Sequence, residues 1–483
     1  MSTETSRLSP TGTGKKQTLH LLAEQAFSRT AGAPLVEGNR IQLLRDAEEN
    51  YPAWLAAIES ARETVHFESY IIHSDAIGRR FADLMCTKAR EGVRVRVIYD
   101  WFGARGASSW FFWHRLRQAG VEVRCFNPPR VDSPLGWVRR DHRKTISVDG
   151  RIGFVSGLCV GQSWVGDPER GIEPWRDTGV SIEGPAVFDV EQAFAAMWAE
   201  MGTPVPQREL VPDRAVIQPA GDVSVRIVPT LPGTGGLYRV DQLIAALANR
   251  FIWLTDAYFL GTTTYVQALC AAARGGVDVR LLLPRTSDIP VVRSMSRVGY
   301  RALLEAGVRI FEWRGSMLHA KTSVADGQWA RVGSTNLNIT SWMGNCEMDV
   351  IVADKTLARE MEEMYLDDLA HSTEIVLAKR HKVRPVEHRE RVAPRMKAAR
   401  GSAGRAATGV LAIGSTVNAA FTSHELLGRA EIPALLLAAG IVLAIAVIGV
   451  LWPRVISVPI AVAGFWMALS LFLRILRSYR RQD

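Results

Sequence analysis

The chain repeats itself, and that repeat limits its fold more than any other feature. The stretch ARETVHFESYIIHSDAIGRRFADLMCTKAREGVRVRVIYD has a counterpart in LANRFIWLTDAYFLGTTTYVQALCAAARGGVDVRLLLP. Each opens on a β-rich run ending at Tyr70 or Tyr258. An amphipathic helix follows, then a turn at Gly92-Val93 or Gly276-Val277, then an alternating β-run. The next unit recurs too, with RLRQAGVEVRCF matching ALLEAGVRIFEW. This order predicts an α/β fold with right-handed crossovers and a largely parallel sheet covered by helices. Two α-β-α halves, residues 36–215 and 216–376, are expected to pack about a pseudo-twofold axis. The Pro-rich stretch TPVPQRELVPDRAVIQPAGD suits the linker between them.

Each half then reaches the same signature. DHRKTISVDGRIGFVSG carries His142, Lys144 and Asp149, and LHAKTSVADGQWARVGSTN carries His319, Lys321 and Asp326. One HxKxxxxD is weak evidence, but its recurrence at the equivalent place, followed by Ser156-Gly157 and Gly333-Ser334, is specific. Two residues apart on a strand, His and Lys share a face at a spacing of about 6–7 Å. Doubled across a twofold interface, they make a pocket of two imidazoles and two ammonium groups. Such a pocket neutralises a phosphodiester and supports in-line displacement. One histidine attacks phosphorus while the other protonates the leaving oxygen, so no metal or cofactor is called for.

The aspartates of the motif read differently. Asp149-Gly150 and Asp326-Gly327 lie between β-runs, the favoured setting of a type I′ hairpin turn. The intervening strand puts each roughly 16 Å from its own histidine, which favours a structural over a catalytic role. The carboxylate that orients each imidazole is then expected elsewhere. Asp177 in PWRDTGVSIEG and Glu347 in WMGNCEMDV are the candidates, each downstream of its histidine on a β-like run. Ser156, Ser334 and Asn336 are candidate hydroxyl and amide donors to phosphate. Glu68 and Tyr70 in FESY, and Asp256 and Tyr258 in TDAY, end the first strand of each repeat, where α/β sheets face their ligands. Core packing accounts for the tyrosines equally well. His73, His114 and His381 have no repeat partner and are ordinary histidines.

The C-terminal hundred residues change character. Ile432–Trp452 and Val455–Ile475 are each about 20 residues long and almost wholly apolar, enough to cross a hydrocarbon core. Only Pro453 and Arg454 separate them, so residues 431–476 read as a transmembrane helical hairpin; a buried hairpin of a soluble domain is the alternative. Both flanks are basic, including the tail 477–483, which keeps them and the large domain on the cytoplasmic side. The formal charge of +9 is thus placed for an anionic membrane surface rather than for nucleic acid. Residues 377–430 are a basic linker or an interfacial segment, and residues 1–35 a disordered lead-in. Five scattered cysteines without CxxC spacing argue against a disulfide framework or a zinc site and for a reducing compartment.

These motifs resemble the phospholipase D superfamily, and within it the bacterial cardiolipin synthase group, over roughly residues 36–375. The match includes GVRVRVIYDWFG, FNPP before the first motif, the motif pair, WRDTGVSIEGPAV and GSTNLN…NCE. The resemblance implies one active site shared by both motifs and a phosphohistidine resolved by an incoming hydroxyl. It also implies phosphatidylglycerol as substrate, glycerol as leaving group and a bacterial inner-membrane location. By resemblance His142 is the nucleophile and His319 the acid/base, or the reverse. Two departures stand out. Ser156-Gly157-Leu158-Cys159 replaces the usual Gly-Gly-x-Asn, and the membrane hairpin is C-terminal. A phospholipase D-type hydrolase releasing phosphatidic acid shares every one of these residues and differs in whether water reaches the intermediate. A nuclease would lack a use for the apolar hairpin, and a scaffold a use for two intact HxK pairs.

Overall fold

The computed structural model describes residues 26–130, 138–378 and 382–385, with isolated helical positions between 451 and 469. The hairpin at 431–476, the tail 477–483, most of the segment 377–430 and residues 1–25 of the lead-in therefore lie outside the described residues. Among the described residues, no helix is long and apolar enough to cross a membrane.

The first half supplies seven strands: β1 (Val36–Arg45), β2 (Thr64–Ser69), β3 (Arg94–Asp100), β4 (Glu122–Phe126), β5 (Lys144–Val148), β6 (Ile152–Ser156) and β7 (Thr178–Glu183). The second half repeats them as β8 (Val223–Thr230), β9 (Phe251–Thr255), β10 (Asp278–Pro284), β11 (Arg309–Trp313), β12 (Thr322–Ala325), β13 (Trp329–Gly333) and β14 (Glu347–Ala353). It then adds β15 (Ser372–Ala378) and β16 (Lys382–Pro385) at its edge. All join one sheet in the order β16-β15-β11-β10-β9-β12-β13-β14-β8-β1-β7-β6-β5-β2-β3-β4. Read outward from the central β8–β1 pair, the two halves carry equivalent strands in equivalent order, so the sequence repeat becomes a pseudo-twofold.

The sheet is mixed, which corrects the expectation of a largely parallel one. Only β2–β3–β4 and β9–β10–β11 run parallel, each linked by a helical crossover. The hairpins β5–β6 and β12–β13 enter antiparallel beside β2 and β9, and β7 and β14 continue the antiparallel run to the centre. The helical units of the repeat were visible as crossovers, whereas the motif-bearing hairpins carry no helix to mark their direction.

Helices cover both faces. Asp46–Glu59 and Ala76–Arg90 lie on one side, where Trp54 and Phe81 pack over Val65, Phe67 and Ile146. Val187–Glu200 and Lys355–Ala370 lie on the other, burying Val190, Met361 and Tyr365 among Ile182, Trp253 and Val350. Asp75 caps the helix Ala76–Arg90 by accepting from the Gly78 N–H at 2.9 Å, and Lys88 and Arg90 occupy its last turn. Residues 26–35 are no loose lead-in: 26–31 are helical, and Phe27 and Ala31 are buried in the core of the second half.

Both Asp-Gly pairs turn as their sequence predicts. Asp149 and Gly150 have φ of 51° and 60°, and Asp326 and Gly327 have 54° and 68°. Each carboxylate does further work. Asp149 accepts from the N–H groups of Arg62, Glu63 and Thr64 at 2.8–2.9 Å, and Asp326 from those of Asn249, Arg250 and Phe251 at 2.8–3.0 Å. Each fastens its hairpin to the start of the neighbouring parallel strand. Although the motif sets these aspartates beside His142, Lys144, His319 and Lys321 as candidate catalytic residues, they close the edge of the sheet opposite the histidines.

Candidate active site

His142 and Lys144 precede and open β5, and His319 and Lys321 stand just before β12, at the edge where β2 and β9 end. Two short bridges across the halves fix this edge. The His142 N–H donates to the Cys346 carbonyl at 2.9 Å while the Cys346 N–H donates to Arg140 at 2.8 Å. In the same way the His319 N–H donates to Arg176 at 2.7 Å and the Arg176 N–H to Met317 at 2.9 Å. His142 is thus sewn to the segment that enters β14, and His319 to the segment that enters β7, each in the opposite half.

That stitching decides which carboxylate meets which imidazole. Nδ1 of His142 lies 2.8 Å from Oε2 of Glu347, and Nδ1 of His319 lies 2.6 Å from Oδ2 of Asp177. The pairing is crossed. Each carboxylate serves the histidine of the other half, not the one upstream of it in sequence. With Nδ1 engaged, Nε2 of each ring is left for chemistry. Both carboxylates are fully buried and held in turn. Glu347 accepts from Ser334 Oγ at 2.6 Å and Asn345 Nδ2 at 3.2 Å. Asp177 accepts from Trp164 Nε1 at 3.0 Å and the Thr178 N–H at 2.9 Å. Beneath it, Arg176 makes a two-pronged pair with Asp368 at 2.8 and 3.0 Å and reaches Asp46 at 3.0 Å. Gly157 leaves room for this arrangement, since a Cβ there would stand 2.1 Å from Asp177 Oδ1.

The lysines complete the pocket. Lys144 Nζ donates to the carbonyl of His142 and Lys321 Nζ to that of His319. Tyr70 lies edge-on to His142 with ring centres 4.9 Å apart, and Tyr258 lies edge-on to His319 at 6.0 Å. Burial drives His142 well below the ordinary imidazole range, and Lys144, Lys321 and His319 push it in the same direction. Burial and Lys321 lower His319 as well, but Asp177 pulls it back up. Burial brings Lys321 down to about 8. Asp177, which burial alone would raise, is held at about 2 by His319 and Lys321, whereas burial raises Glu347. The two dyads are alike in geometry and unequal in charge.

Three expected ligand contacts fall elsewhere. Ser334 spends its hydroxyl on Glu347, as the distances above show. Ser156 is fully buried with Oγ 3.4 Å from the Leu158 carbonyl. Glu68 is fully buried, accepts from Thr145 Oγ1 at 2.9 Å and stands 4.0 Å from Arg143. Burial and the neighbouring Asp141 raise its carboxyl well above the usual range. Asn336 is buried in the loop after β13, and its Oδ1 has no partner among the described residues. Trp164, Trp175 and Asn345 were missed; both tryptophan rings lie 5.6 Å from His319. Trp164 did carry a signal, because Ser163-Trp164 recurs as Ser341-Trp342 in the second half.

Two histidine–carboxylate dyads and two lysines brought to one edge by a doubled α/β unit define a phospholipase D-type site. The family model described as cardiolipin synthase, PLD-like domain, matches residues 54–198 and 242–369. Cardiolipin synthase A of Pseudomonas fluorescens is 32% identical over 361 residues, 73% of each chain. The cardiolipin synthase of Geobacillus kaustophilus is 33% identical over 349 residues, 71% of this chain and 68% of that one. The chain belongs to the cardiolipin synthase family of phospholipase D-like proteins, and is a phosphatidyltransferase of that type. Two solved structures share the fold. Phosphatidylserine synthase of Haemophilus influenzae has a TM-score of 0.56 at 14% identity, covering 72% of this chain and 91% of its own. Polyphosphate kinase of Porphyromonas gingivalis has a TM-score of 0.50 at 14% identity, covering 78% and 53%.

Proposed function

We propose that the protein joins two phosphatidylglycerol molecules into cardiolipin, releasing glycerol, through a phosphohistidine on His142. The observation that carries this reading is the crossed pair of dyads, which gives one pocket two imidazoles with opposite duties. His142, kept neutral by burial, offers the Nε2 lone pair to phosphorus. His319, backed by an ionised Asp177, donates its Nε2 proton to the departing glycerol oxygen. The P–O bond to glycerol breaks as the P–N bond to His142 forms. The headgroup hydroxyl of the second lipid then loses its proton to His319 and attacks phosphorus, and His142 leaves unchanged. Lys144 and Lys321 offset the charge that gathers on the non-bridging oxygens, while Tyr70 and Tyr258 wall the pocket.

The apolar residues 431–476 support a bilayer-anchored protein whose catalytic halves face the cytoplasm of a bacterium, and the basic residues 379–405 support contact with anionic lipid. The experiment is product identification by mass after incubating the purified protein with phosphatidylglycerol in detergent. Cardiolipin with glycerol is expected; phosphatidic acid as sole product would make the protein a hydrolase.

A further inference from the structure

The edge of the sheet that holds the histidines also carries the two most exposed large apolar side chains among the described residues of the catalytic halves. Trp110 is 65% and Phe111 76% exposed. They open the helix Trp110–Gln118, which crosses from the end of β3 to the start of the parallel strand β4. Its first turn therefore stands at the catalytic edge. The segment before it is built into the site: a Cβ on Gly103 would stand 2.3 Å from the Tyr70 carbonyl, and Tyr70 packs on His142. Val165 and Ile172, in the loop that also carries Trp164 and Trp175, are exposed on the same edge, as are Ile339 and Met343 in the equivalent loop of the second half. The opposite edge offers mainly charged or polar turns, with Arg62, Glu63, Arg151, Asn249 and Arg250 exposed and Leu247 beside them at 39%. An exposed apolar rim of this kind marks an interaction surface.

We propose that this rim, led by Trp110 and Phe111, docks the catalytic halves onto a phosphatidylglycerol-containing bilayer with the pocket facing the lipid. Exposed Arg79, Arg80 and Arg105 flank the aromatic pair at the ends of β2 and β3 and complement an anionic headgroup layer. Tryptophan and phenylalanine are suited to the boundary between headgroups and acyl chains. A docked mouth lets a lipid headgroup enter without its acyl chains crossing water. The inference rests on the lipid-substrate reading above and assigns the surface that reading leaves open.

The test separates docking from chemistry. An environment-sensitive fluorophore on Phe111→Cys, in the full chain reconstituted into phosphatidylglycerol bilayers, should be quenched by lipid-borne doxyl groups and shielded from aqueous iodide. The same label on Asn249→Cys should show the opposite. The double variant Trp110→Ser/Phe111→Ser should turn over bilayer phosphatidylglycerol at least about tenfold more slowly while keeping its rate on monomeric short-chain phosphatidylglycerol. Equal losses on both substrates, an unchanged bilayer rate, or a Phe111→Cys label open to iodide would overturn the proposal. A shielded label on a protein that makes no cardiolipin would sink the substrate reading and leave the docking surface standing.

Discussion

Glu347 of the second half stands 2.8 Å from His142 of the first, across 205 positions of sequence. With its mirror image, Asp177 and His319, it means that neither half holds a complete catalytic dyad. Removing either carboxylate should leave a histidine without an oriented tautomer. Glu347→Gln and Asp177→Asn should each lower kcat by about 10²–10⁴-fold in a protein that still folds. A loss under about threefold in either variant, measured by product formation, would deny these carboxylates their role.

The charges of the pocket predict its pH dependence. The reactive form needs His142 neutral, His319 protonated and Lys321 charged. Because burial depresses His142 well below the ordinary imidazole value, the acid limb of kcat/KM should lie well below pH 6.5. Burial and Lys321 lower His319 and Asp177 raises it, with a net shift downward. Its proton should therefore be lost below pH 6.5 and set the alkaline limb before Lys321 loses its charge at about 8. Asp177→Asn removes the group that raises His319, so any activity it retains should show the alkaline limb displaced to lower pH. An unmoved limb would assign it to another group.

Gly157 permits the Asp177 position, so a single methyl group can test it. Gly157→Ala should displace the carboxylate and reduce kcat by about tenfold or more, with KM for phosphatidylglycerol nearly unchanged. Thermal unfolding in parallel distinguishes this from general damage.

Asp149 and Asp326 should behave otherwise. Each satisfies three backbone N–H groups far from the chemistry, so Asp149→Ala and Asp326→Ala should cost about 1–3 kcal/mol of stability. Turnover per folded molecule should stay within about threefold of the parent. A folded Asp326→Ala protein with no activity would return the aspartate to the catalytic group.

What the sequence made legible was local. The repeat located both halves, alternate positions put His142 with Lys144 and His319 with Lys321, and Asp-Gly named the two turns. Asp177 and Glu347 were legible as carboxylates on strands, but their crossed partners were not. The crossing depends on the paired bridges at Cys346 and Arg176, contacts between segments remote in the chain. The antiparallel run of β5–β6 and β12–β13 was hidden for a similar reason, since a buried strand reads alike in either direction. Ser334 was taken for a phosphate donor because a hydroxyl beside the motif serves a ligand or a carboxylate equally well, and only its distance to Glu347 chooses.

On the proposed mechanism the phosphatidyl group should pass through His142 in a site that His319 must complete. Peptide mass mapping of the intact protein, quenched within one turnover of exposure to phosphatidylglycerol, tests this most directly. A phosphatidyl adduct on the peptide bearing His142, absent from His142→Ala and much reduced in His319→Ala, is the predicted result. An adduct on the His319 peptide instead, or full labelling of His142 in His319→Ala, would contradict it.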